Sequence, residues 1–215
     1  MSLSSSLAVQ ELPLFPLPEV VLFPGRPLPL HIFEPRYRMM MNTVLDTDKR
    51  FGVLLWDPET KQPAKMGSCA EITQIERLPD DRMNLLTVGQ QRFRVLEYTR
   101  QKPYRVGLIQ WIDDEPVEGD LTFLTRDAQR LLSDVVRLSG KLMDRPIQLP
   151  TLPDNPLELS YWIGGSFYGA CEEQQSLLEL QNTAQRLQRE IEILQTTLKH
   201  LAARTVLKDT FSSSS

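Results

Sequence analysis

The sequence predicts an α+β protein: a small, partly closed β-barrel with one short helix, followed by a helical bundle that ends in a long helix. Three observations carry this reading. Up to Asp113 the apolar residues come in short runs separated by turn signals, the pattern of a compact β-rich fold. At Asp113-Asp-Glu-Pro-Val-Glu-Gly-Asp120 an acidic stretch with Pro and Gly interrupts that pattern. Beyond it the apolar residues recur every three or four positions, the period of amphipathic helices. The expected division is a barrel over residues 10–117 and a bundle over 118–208, with flexible tails at 1–9 and 209–215.

The first element is the stretch from Leu12 to Arg38, dense in prolines at 13, 16, 18, 24, 27, 29 and 35. A disordered Pro-rich linker is polar and buries nothing. This stretch instead carries Leu, Phe, Val and Ile between its prolines, so it is expected to be ordered. Each proline fixes φ, removes a backbone donor and pushes the residue before it toward an extended conformation. Val20-Val-Leu-Phe23 is read as a buried strand and Pro24-Gly25 as a turn. Leu28 to Phe33 is a second strand, whose start Pro29 places at a sheet edge or bulge. Glu34-Pro35 opens a helix with Tyr37, Met40, Met41 and Val44 on its apolar face.

Phe51 to Trp56 is a continuous apolar strand, Asp57 to Met66 a polar loop, and Ser68 to Leu78 an alternating strand with a bulge or twist. Pro79-Asp80-Asp81 turns the chain into Met83 to Val88. Gly89 to Tyr98 has period two, which points Phe93 and Val95 inward and Arg92 and Arg94 outward. In Tyr104 to Asp113 the same period groups Val106, Leu108, Gln110 and Ile112 on one face. A long helix follows over Leu121 to Met143. An extended connector then carries Pro146, Pro150 and Pro153, and Asp154 or Asn155 caps a helix over Pro156 to Phe167. The last helix, from about Glu172 to Ala203, has Leu180, Ala184, Leu187, Ile191, Leu194, Leu198 and Leu201 on a coiled-coil-like seam. That seam serves either to pack on the preceding helices or to self-associate through Leu180, Leu187, Ile191, Leu194 and Leu198.

Three segments carry a family resemblance. Leu12-Pro-Leu-Phe-Pro-Leu17, Val20-Val-Leu-Phe-Pro-Gly25 and Leu28-Pro-Leu-His-Ile-Phe-Glu-Pro-Arg-Tyr-Arg38 together resemble the opening of the substrate-binding domain of Lon proteases, in the form found in stand-alone Lon-domain proteins. Gly89-Gln-Gln-Arg-Phe-Arg-Val95 is similar to a second piece of that domain, and Gln175-Ser-Leu-Leu-Glu179 with Arg186-Leu187 to its helical part. The resemblance spans about Leu12 to Leu201. It implies a PUA-like barrel and a non-catalytic module that recognises unfolded or degron-bearing polypeptide, or a protease or chaperone partner. Its physical means would be apolar groups on a rigid frame and strand edges able to accept an extended peptide. Apolar and aromatic density beside the proline bends puts the candidate peptide surface at Leu28, Leu30, Ile32, Phe33, Pro35, Arg36, Tyr37 and Trp56.

Catalytic signatures are missing where the Lon ATPase and protease modules would need them. Gly140-Lys141 is followed by Leu142 and lacks the glycine spacing of a phosphate-binding loop. Gly164-Gly-Ser-Phe-Tyr168 has Tyr where a nucleophile elbow needs Gly, so it is read as a helix contact or cap. His31 and His200 are the only histidines, which excludes a His-based zinc cluster, and His31 in its apolar run reads as a hydrogen-bonded structural residue. Asp80-Asp81 and Asp113-Asp114-Glu115 read as solvated turns. No enzyme activity, cofactor or metal is expected. Arg92, Arg94, Arg100, Lys102 and Arg105 form a local basic group of the kind some PUA-like proteins turn to RNA, but the net charge of −4 and the interspersed Glu97 argue against nucleic acid. Cys69 and Cys171 read as two reduced, packed thiols. The first ten residues lack the features of a signal peptide and no stretch reaches membrane-span length, so the expected location is cytoplasmic.

Overall fold

The computed structural model describes residues 9–212, with side chains described for 9–206. The strands are β1 (Val9–Pro18), β2 (Pro27–Ile32), β3 (Arg50–Asp57), β4 (Gln62–Pro63), β5 (Met66–Arg77), β6 (Met83–Arg100) and β7 (Arg105–Ile112). The helices are α1 (Pro35–Leu45), α2 (Thr122–Leu142), α3 (Pro156–Gly164), α4 (Cys171–Glu179) and α5 (Thr183–Ser212). They fall into two compact units. One takes the chain through Asp114 together with Gly164–Gln181, and the other takes Glu115–Ile163 together with the chain from Asn182. Of the two expected tails, residues 1–8 and 213–215 lie outside the described residues; Val9 already opens β1 and α5 continues to Ser212.

In the first unit the ladders run β1-β7-β6-β5-β3, and a parallel pairing of β1 with β3 closes the circuit. β2 pairs with β6, and β4 pairs with the end of β3. The prolines of β1 are tolerated because of how its two ladders divide the strand. Val9 to Leu14 pair with β7 and Leu14 to Pro18 with β3, so each half is laddered on one side only. A proline nitrogen facing the other side costs no hydrogen bond.

Val20 to Phe23 is not the strand expected there. Glu19, at φ 57°, ends β1, and the next four residues run irregularly to the Pro24-Gly25 turn with Leu22 and Phe23 fully packed. Gly25 donates to the Gly89 carbonyl at 2.8 Å, and Gly89 donates to the Arg26 carbonyl at 2.9 Å. A Cβ on Gly89 would lie 2.1 Å from the Phe23 carbonyl oxygen, so only glycine permits this approach. α1 matches its expectation: Tyr37, Met40, Met41 and Val44 are its buried residues.

The core has two parts. One gathers Phe15, Ile32, Met40, Met41, Phe51 and Met83 under α1, and the other Leu12, Leu14, Leu54, Phe93 and Ile109. The expected face of β7 is corrected here. Val106 and Ile112 of the expected face are buried, but Ile109 on the opposite face is fully buried as well, within the second part of the core, while Leu108 is only partly so.

Arg92 requires a second correction. It stands on the face of β6 opposite Phe93, yet it is 1% exposed, because that face is covered by the segment ending α4. Its guanidinium pairs with Asp114 and donates to the carbonyls of Leu178 and Leu180. Asp114 is therefore no solvated turn residue: its side chain is 5% exposed. The basic group of five is dispersed, with Arg92 internal, Arg100 over the Tyr104 ring and Arg105 over Trp56.

The expected single helix from Glu172 to Ala203 is two helices. Leu180 is extended (φ −66°, ψ 128°), and the Asn182 side chain accepts from the Gln185 amide to start α5 afresh. Gln175 of α4 donates to the Met66 carbonyl, which holds that helix against β5. In the second unit α2 packs against α5, with Ala128, Leu131 and Leu132 buried on α2 and Leu187, Ile191 and Leu194 buried on α5. The seam set out for self-association is thus spent within the chain at those three positions, and Leu180 lies outside both helices. Arg186 is buried beside it, donating to the Ser160 hydroxyl at 2.9 Å and lying over the Tyr161 ring. As the sequence suggested, Asn155 caps α3 by accepting from the Leu157 and Glu158 amides.

Candidate functional site

The bends of the opening stretch carve a groove of about 570 Å³ in the first unit. Its walls come from the end of β1 (Phe15 to Pro18), the end of β2 and the start of α1 (Leu30 to Glu34, Arg36, Tyr37), Trp56 at the end of β3 and Arg105 at the start of β7. These positions converge because the parallel pairing of β1 with β3 sets Pro18 opposite Trp56, while Pro35 turns the chain from β2 into α1. A second cleft of about 740 Å³ adjoins it, sharing Arg36, Tyr37 and Arg105 and adding Gln101, Lys102, Pro103 and Tyr104.

The groove is apolar with charged corners. Phe33 is 60% exposed and stacks on His31 at 6.1 Å between centroids, while His31 shares a 2.7 Å hydrogen bond with Asn84. Tyr37 is nearly buried, packed 4.3 Å from the Phe15 ring with the Arg36 guanidinium 4.5 Å from its centroid. Burial pushes the Tyr37 phenol above its ordinary value, and Arg36 beside it offsets part of that rise. Arg36 itself is tied to Glu34 at 2.8 Å. The polar groups of the lining are His31, Glu34, Arg36, Tyr37 and Arg105, set among apolar side chains. Cys69 is remote from this role: it is buried, and desolvation pushes its thiol up to about 12.

The family model of the ATP-dependent protease La (LON) substrate-binding domain matches residues 11–196. The chain belongs to the Lon substrate-binding domain family. Among its relatives, Lon protease 1 of Hydrogenovibrio crunogenus is 26% identical over 84% of this chain and 23% of its own length. Protein cereblon of Xenopus tropicalis is 29% identical over 56% of this chain and 28% of its own length. The chain thus spans about a quarter of the relatives it matches. A crystal structure of a Lon N-terminal domain protein from Xanthomonas campestris superposes with a TM-score of 0.62 at 25% identity, covering 84% of this chain and 96% of that one. The N-terminal domain of a Mycobacterium avium complex Lon protease has the same fold, with a TM-score of 0.67 at 15% identity over 86% of this chain. The likeness is to the substrate-binding domain of Lon and not to its catalytic part.

Of the positions set out from the sequence, Leu30, Ile32, Phe33, Arg36, Tyr37 and Trp56 line the groove of this Lon-family chain. Leu28 lies against the core under α1, and the exposed Pro35 is not part of the lining. Ile32 and Tyr37 are buried in the core, so they floor the groove while Phe33 forms its open rim. The sequence reading missed Phe15 to Pro18, His31, Glu34 and Arg105. The first four are legible as apolar residues between prolines. Arg105, 49 positions from Trp56 in the chain, is brought in only by the strand ladders.

Proposed function

We propose that this chain is a polypeptide-recognition module that takes unfolded or degron-bearing segments into the groove between the ends of β1, β2 and β3 and the start of α1. The observation that carries the proposal is an aromatic residue, Phe33, held 60% exposed at the rim of an apolar groove in a member of the Lon substrate-binding domain family. The closed strand circuit supports reading the first unit as a PUA-like barrel, a rigid frame on which such a rim is pre-organised. Recognition is through side chains more than through strand addition. The free edge of β2 contains Pro27 and Pro29, which cannot donate to an added strand.

The test is binding of a reduced, carboxymethylated, permanently unfolded protein, followed by fluorescence anisotropy. Phe33→Asp leaves the core untouched, since Phe33 is mostly exposed, and is expected to weaken binding by about tenfold or more, as for a hot-spot aromatic. Tyr37→Phe, which keeps the packing of a core residue, serves as the folded control. If Phe33→Asp binds as the wild type does, the groove is not the binding site.

A further inference from the structure

We propose that Arg105 is the carboxylate-recognition point of this groove, so that the segments it takes carry a carboxylate next to apolar side chains. This rests on the groove being the polypeptide site and names the chemistry selected there.

Arg105 lines both clefts, and its guanidinium sits 5.3 Å from the centroid of Trp56 and 5.5 Å from that of Tyr98. Aromatic faces take up the π-surface of a guanidinium and leave its in-plane N–H groups to seek an acceptor. The Tyr98 hydroxyl accepts one of these N–H groups, while Nη1 is buried without a hydrogen-bond partner. Among the described residues no carboxylate pairs with Arg105, in contrast to Arg36, whose charge is already met by Glu34.

The wider charge balance points the same way. The lining of the two clefts carries Arg36, Lys102 and Arg105 against the single carboxylate of Glu34, in a chain whose net charge is −4. A guanidinium fork with apolar walls matches a carboxylate held within an apolar segment, and its partial desolvation strengthens the contact. A side-chain carboxylate of Asp or Glu and the terminal carboxylate of a polypeptide share this chemistry.

Three fluorescein-labelled peptides separate these sources: Gly-Ser-Leu-Phe-Leu-Glu-amide, Gly-Ser-Leu-Phe-Leu-Gln with a free carboxy terminus, and Gly-Ser-Leu-Phe-Leu-Gln-amide. Wild-type protein is expected to bind at least one of the first two roughly 10- to 100-fold more tightly than the third, the range of a charge-assisted hydrogen bond. The peptide that gains identifies the source. Arg105→Gln is expected to erase that gain, so that the three peptides bind it alike, and Arg105→Lys to restore part of it. Equal binding of all three peptides to the wild type overturns the carboxylate assignment alone. So does a gain that persists in a folded Arg105→Gln protein. Absence of binding by all three overturns both the assignment and the groove reading on which it rests. The wild-type comparison needs no variant to fold.

Discussion

At the residue scale the most consequential side chain outside the groove is Arg92. It is almost wholly buried, and it joins β6 to Asp114 and to the carbonyls of Leu178 and Leu180, two stretches of chain far apart in sequence. Desolvating two charges is costly, and the cost is offset only while both are present. Asp114→Ala or Arg92→Met alone should therefore destabilise the protein by about 3–5 kcal/mol, by leaving one charge buried and unmet. The double variant Arg92→Met with Asp114→Leu should recover a large part of that loss. Urea melts of the four proteins measure this, and an additive double variant would refute it. From the sequence Arg92 looked outward, and in direction it is. Strand alternation states which face a residue takes but not whether another segment covers that face.

At the element scale the chain shows how ladders and caps overrule local runs. Val20 to Phe23 is as apolar as any strand but belongs to none of the ladders among the described residues, whereas the proline-laden β1 is a strand because each of its halves needs donors on one side only. The break between α4 and α5 falls inside an unbroken apolar period, and the signal for it is Asn182, a residue that favours the start of a helix over its middle. This break reassigns the seam of α5. Leu187, Ile191 and Leu194 are buried on α5, which packs on α2 inside the chain. Leu194→Glu should then unfold the helical unit and lower the helical circular dichroism signal, rather than convert an oligomer into a folded monomer. Sedimentation of a folded, smaller Leu194→Glu species would show the opposite.

At the scale of the whole molecule three acids that folding desolvates act together on stability. Burial raises the Cys69 thiol from an ordinary 9.0 to about 12, and it raises the phenols of Tyr37 and Tyr98 as well. A folded pKa above the unfolded one means that the unfolded chain loses its proton first as pH rises. The contribution of Cys69 is complete below 9.0 and is lost progressively between 9.0 and about 12. Stability from denaturant melts should fall over that range, by up to about 1.4 kcal/mol per pH unit while the thiol titrates. Cys69→Val should flatten part of this alkaline limb, and an unchanged limb would remove the thiol from the account. The helix opened by Pro35, the Asn155 cap, the family and several of the groove's apolar residues were legible in the sequence, because proline bends, caps and periodicity act over a few neighbouring residues. Arg92 covered by the segment ending α4, Asp114 beside it, Ile109 in the core and Arg105 between Trp56 and Tyr98 were decided only by tertiary structure. Each depends on which distant strand or segment lies alongside, and long-range pairing leaves no local trace in the chain.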